Sequence, residues 1–263
     1  MGLWTFGHPV TAAARMRAAL DQARSDAHPY TLAWACTYGA AFYACRRDVD
    51  AVRELTDAAV PQATDHGFEL LLNLGAVHRG WVLAESGAPE HGAAQIRDGV
   101  TAYRTNGAAL GLPTFLGFLA GAYRKCARAE DGLAVIEDAL AVSEATGAHY
   151  WDAELRRLQG TLILGTGAAP RRVAGRRRSA STERDAESCF VSAIEIARRQ
   201  QAKSLALRAA TSLSRLWQRQ GKTSEAHALL SEAYGWFVEG FEAADLTEAR
   251  ALLEQLDGAT RGR

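Results

Sequence analysis

The sequence predicts an all-α fold, a right-handed superhelical solenoid of about six helix pairs, on three observations. First, Gly7, Arg47, Gly87, Ala127 and Gly167 stand forty residues apart, as turns inside successive helix pairs, and Gly221 follows after fifty-four. Second, Ala27, Gly67, Gly107 and Gly147 keep the same forty-residue beat as turns between pairs. Third, small and large residues recur behind each turn at helical spacing, which lets one helix nest closely on the next.

The composition suits such a fold. The chain has 263 residues, 48% of them hydrophobic, and 30 basic against 30 acidic side chains, so no overall charge points to nucleic acid. Cys36, Cys45, Cys126 and Cys189 lie far apart, without a C-x-x-C pair. They read as small buried thiols in a reducing compartment, the cytoplasm, rather than as a disulfide framework or a zinc site. The N-terminus lacks a basic region followed by an apolar run. Residues 105–123 carry only uncharged side chains up to Tyr123, but Asn106, Gly107, Gly111 and Pro113 mark a turn there. That stretch is expected to be a buried repeat junction.

Along the chain, each first helix places a small residue eight positions in, at Ala40, Gly80, Ala120, Gly160 and Ser214. Three residues later stand the large Tyr43, Leu83, Tyr123, Ile163 and Trp217. Second helices open their packing face with Ala12, Val52, Gly92, Gly132, Ala186 and Ala226. Met16, Thr56, Ile96, Ile136, Phe190 and Leu230 follow, and then Ala19, Ala59, Gly99, Ala139, Ala193 and Ala233. Only Val52 and Thr56 depart from small-large-small. Residues 204–237 show the whole template most clearly, with Gly221 between their two halves. This spacing resembles the tetratricopeptide repeat, with the period stretched to forty and the closing proline absent.

The ends and one insertion interrupt the beat. Residues 2–6 read as the tail of a first helix whose beginning is missing, which makes the first pair truncated. Leu3, Trp4 and Phe6 would then form an uncapped apolar edge, expected to meet a partner or a second copy. Residues 245–256, with Leu246, Ala249, Leu252, Leu253 and Leu256 on one face, read as a closing helix. The repeat domain thus spans 1–257, and 258–263 is a polar tail. Residues 167–183 hold Arg171, Arg172, Arg176, Arg177 and Arg178 among Gly, Ala and Ser, which predicts a basic disordered insertion.

Beyond the repeat itself, residues 187–236, with AIEIARRQQAKSLALRAATSLSRLWQRQGKTSEAHALLSEAYGWFVEGFEAADLTEARALLEQL extending from Ala193 to Leu256, resemble the C-terminal repeat region of large bacterial signalling proteins. Those proteins combine a class III adenylate or guanylate cyclase domain, or another signalling domain, with a P-loop ATPase module and tetratricopeptide repeats. LWTFGHPVTAA, HPYTLAWA and FYACRRD are similar to earlier repeats of the same region. The resemblance implies a sensing or partner-binding arm and transfers no catalytic residue.

Motifs that imitate chemistry are explained by the repeat. Gly221-Lys222-Thr223 has the ending of a phosphate-binding loop, yet Leu216 stands where a glycine is needed and a helix precedes it. Gly165-Thr166-Gly167 lacks the third glycine of a dinucleotide fingerprint, with Pro170 in its place. The seven histidines show no metal-ligand spacing. No catalytic, cofactor-binding or metal-ligating residue is therefore assigned.

What remains is a surface. First helices of tetratricopeptide arrays usually line the concave face, and its exposed positions project here onto Trp34, Leu74, Trp81 and Glu85, then Arg124, Lys125, Glu154, Arg157, Arg208, Arg215 and Arg219. An aromatic half and a mostly basic half would clamp an extended or helical partner peptide by an apolar anchor and by charge pairing. The competing reading makes the tryptophans core and the arginines a solvated face. The expectation is a non-catalytic interaction or sensing scaffold. The alternatives are a regulatory fragment of a cyclase or ATPase, or the arm of a LuxR-type transcription regulator.

Overall fold

In a computed structural model, the backbone of residues 1–166 and 175–261 and the side chains of 1–166 and 180–258 are described. Among them every regular element is helical: α1 Gly2–Thr5, α2 Pro9–Asp26, α3 Pro29–Cys45, α4 Val49–Asp65, α5 Glu69–Glu85, α6 Pro89–Thr105 and α7 Leu112–Lys125 come first. Then follow α8 Ala129–Thr146, a 3-10 turn at His149–Trp151, α9 Asp152–Thr166, α10 Gly175–Arg199, α11 Lys203–Arg219, α12 Thr223–Tyr234 and α13 Ala244–Arg261. None is long and apolar enough to cross a membrane.

The turn residues work by one mechanism. All nine described turn landmarks, from Gly7 to Gly221, have positive φ, including the non-glycines Ala27 (53°), Arg47 (64°) and Ala127 (56°). The residue after the landmark usually donates its N–H to a carbonyl five positions back, as Asp48 does to Tyr43, Arg128 to Tyr123 and Lys222 to Trp217. This left-handed Schellman closure satisfies an orphan carbonyl and turns the chain sharply into its next helix. Gln201 (φ 54°) follows Gly147 after fifty-four residues and closes α10 the same way, with Ala202 donating to Ala197.

The chain divides into two compact units, Met1–Thr11 with Ser143–Arg263, and Ala12–Val142. In the second unit α3 packs on α4, α5 on α6, and the pairs join through α4 with α5 and α6 with α7. Odd-numbered helices also touch, α3 with α5 and α5 with α7. Close approach is built from small residues: a Cβ at Gly92 would lie 2.5 Å from the carbonyl oxygen of Gly80, and one at Gly80 2.8 Å from that of Gly92. In the other unit α9 packs on α10, α10 on α11, α11 on α12 and α12 on α13, and α11 also touches α9 and α13.

Most packing positions are filled as the spacing predicts. Ala40, Ala120, Ser214, Ile96, Ile136, Phe190 and Leu230 are all buried. Val52 and Thr56 are buried too, because the Thr56 hydroxyl donates to the Val52 carbonyl at 2.7 Å and so carries no orphan polar group inward. Two positions depart from the pattern. Leu83 remains 36% exposed, and Ala19 faces solvent while Leu20 and Ala23 fill the core of α2.

The ends differ from expectation as well. Residues from 175 onward are helical, as the first turns of α10, instead of forming a disordered insertion; residues 167–174 lie outside the described residues. Arg184 Nε donates to the Ala180 carbonyl within the helix, and Glu183 accepts from Gln220 Nε2 at 3.0 Å, which ties this part of α10 to the end of α11. The expected tail is likewise helical as far as Arg261 in α13.

Candidate functional site

Residues 1–11 belong to the same unit as the C-terminal helices, and there they meet α11. Trp4, expected on an open edge, is only 2% exposed. Its ring lies 6.3 Å from that of Trp151 and 5.0 Å from the Arg208 guanidinium, and its carbonyl accepts from the Ser204 hydroxyl at 2.5 Å. Glu239 completes the attachment by accepting from the N–H groups of Val10 at 3.1 Å and Thr11 at 3.0 Å, and from the Thr11 hydroxyl. The edge that was predicted to need a partner is thus partly covered by its own chain, with Leu3 and Phe6 still exposed.

This closure leaves a cavity of about 540 Å³. Ile194 and Ala197 of α10, Ala206 and Ala210 of α11, and Leu229 and Ala233 of α12 line its apolar wall. Four of these six are alanines, and short side chains at a three-helix junction leave the space. Phe6 and Trp236, 46% and 59% exposed, stand at its mouth with Lys203, whose Nζ lies 4.9 Å from the Trp236 ring centre. Arg198 is also there, paired with Glu232 at 2.7 Å. A concave apolar wall with a few charged groups at its rim is the usual form of a ligand or anchor pocket.

The basic positions predicted for a groove are differently employed. Arg157, partly buried, and Arg208, buried, belong to a charge-balanced cluster: Arg157 grips Glu154 through Nε at 2.8 Å and Nη2 at 2.7 Å, and Arg208 holds Asp245 at 2.8 Å and approaches Glu154 at 3.6 Å. Two cations matched by two carboxylates hold helices together and offer little net field to an acidic partner. Arg215 is paired with Glu248, while Arg219 is exposed.

In the other unit Lys125 pairs with Glu85 at 2.7 Å and Arg124 is exposed. Trp81 is 5% exposed against Phe118, so it is core rather than an anchor, and Leu74 is buried with it. Trp34 is half-buried and stacks on Tyr38 at 4.4 Å. Periodicity does not give the depth of cover on a helix face.

Two Ser-His-Asp groupings, not foreseen from the sequence, need a chemical reading. Ser143 and His149 Nδ1 both bond Asp152, at 2.6 and 2.9 Å, and lie 3.3 Å from each other; the serine donates its proton to the carboxylate, the shorter contact, rather than to the imidazole. Ser143 is also fully buried. His227 does lie between Ser231 at 3.5 Å and Asp257 at 2.9 Å, but Ser231 sits in the body of α12, where neighbouring N–H groups serve the helix and leave no oxyanion donors. Neither grouping has the geometry of a nucleophile with its base. Among the described residues no three His, Cys, Asp or Glu side chains converge on a metal position.

No family model matches the chain. It is similar to an uncharacterized protein of Rhizobium meliloti (strain 1021), with 27% identity over 218 residues. That match covers 82% of this chain and 20% of the relative, so the chain spans about one fifth of the length of the protein it resembles.

Proposed function

We propose that the chain is a tetratricopeptide-like, right-handed helical repeat of period forty that acts as a non-catalytic interaction and sensing arm in a bacterial signalling protein. The observation that carries this reading is the apolar cavity of the first unit, with Phe6 and Trp236 exposed at its mouth. Large aromatics held half in water at the rim of a pocket are the usual anchors of a partner segment. Support for the repeat comes from the recurring left-handed turns and from contacts between successive odd-numbered helices. The greater length of the relative suits an arm joined to other domains.

The binding surface in this reading has moved from the groove expected along the first helices to the mouth between α1, α11 and α12. Selection of displayed peptides on the purified chain tests it. Peptides carrying a large apolar anchor should be enriched, and they should lose at least about tenfold in affinity on Phe6→Ala and Trp236→Ala variants of unchanged circular dichroism. Enriched peptides indifferent to both substitutions would refute the assignment of the mouth.

A further inference from the structure

The charges around the cavity are unequal in their engagement. Of the acids, Glu232 is paired with Arg198 at 2.7 Å, and Glu239, whose charge also feels His8, is bound to the start of α2. Of the cations, Lys203 has the Trp236 ring at 4.9 Å, and no carboxylate lies within ion-pair distance of it among the described residues. A ring face attracts an ammonium without neutralising it. The mouth therefore holds an ammonium that no carboxylate pairs, on the same cavity as the apolar wall made by Ile194, Ala210 and Leu229.

We propose that this cavity is a binding site for a small apolar carboxylate, an aliphatic or aryl-alkyl acid whose body lies on that wall and whose anionic end meets Lys203. The volume of about 540 Å³ falls within the range of small-molecule pockets, roughly 300 to 1,000 Å³. A neutral ligand of the same shape would gain the apolar contacts and leave the ammonium unanswered. A larger anion would have to displace Trp236 and Phe6 from the rim. This ligand is separate from any protein that docks on the rim, and its binding is measurable on the isolated chain, so failure here leaves the partner reading standing.

The experiment is a titration of the full chain with octanoate, decanoate and 3-phenylpropionate, read from the Trp236 indole N–H in proton-nitrogen spectra and assigned with Trp236→Phe. Octanamide is the uncharged control, and the peptide acetyl-Gly-Gly-Leu, with its free terminus, tests whether a chain end is preferred. At least one acid should bind below about 1 mM and at least about tenfold more tightly than octanamide. Lys203→Met should remove that preference, so that acid and amide bind alike. Ala206→Phe, on the partly exposed side of the wall, should abolish both if its thermal midpoint matches the parent. No acid binding by about 1 mM, equal binding of acid and amide, or binding of the peptide alone would each overturn the proposal.

Discussion

Glu239 caps α2 through Thr11, accepting from its backbone N–H at 3.0 Å and from its hydroxyl at 3.1 Å across 228 residues of sequence. The bonds to N–H groups hold the carboxyl below its ordinary range, first through the Thr11 backbone. With the folded pKa depressed, the stabilisation is present above the unfolded carboxylate range and is lost as pH falls through the folded value. Glu239→Gln should raise hydrogen exchange in residues 1–11 at neutral pH while leaving α5 and α6 unchanged. Equal exchange in variant and parent would show that the cap does not hold the segment.

His78 gives the other unit an acid sensitivity. It is fully buried at the edge of Phe115, both ring nitrogens lack hydrogen-bond partners among the described residues, and desolvation lowers its pKa to about 4. The unfolded chain therefore takes up the proton first. Stability should fall between about pH 6.5 and pH 4, by roughly 3 kcal/mol, and urea midpoints at pH 7 and pH 5 should show it. His78→Leu should flatten that dependence, and an unaltered slope would place the titration elsewhere.

Ala127 occupies a left-handed position that disfavours a Cβ, with φ at 56°. Ala127→Gly should raise stability by about 1 kcal/mol, since relief of the steric cost exceeds the added freedom of the unfolded chain. Denaturant titration would decide it. A loss of stability would mean that the turn is not the source of strain.

Trp4 fills the space between Trp151 and Arg208 and is almost wholly covered. Trp4→Ala should destabilise its unit by roughly 3 to 5 kcal/mol, the usual cost of emptying a buried aromatic site. A calorimetric change near zero would show that residues 1–11 are not docked in solution.

The turns were legible in the sequence because a Schellman closure is local: Gly67 or Gly107 needs only its own few residues to adopt positive φ. The small residues that allow close approach were legible for the same reason, since Gly80 and Gly92 fall at helical spacing from their own turns. Cover was not legible. Trp81 and Arg208 sit on helix faces that periodicity leaves open, and Phe118 and Asp245, on other helices, close them. The meeting of Trp4 with Ser204, 200 residues away, obeys no repeat at all. The cavity follows from that meeting, so Phe6, Lys203 and Trp236 could not be grouped by spacing.

The most direct test is hydrogen exchange measured by mass spectrometry on the full chain, with and without a peptide selected for binding. The expected result is new protection confined to segments 1–8, 194–210 and 229–238. Protection confined instead to α3, α5 and α7 would contradict the assignment and return the binding surface to the first helices around Trp34.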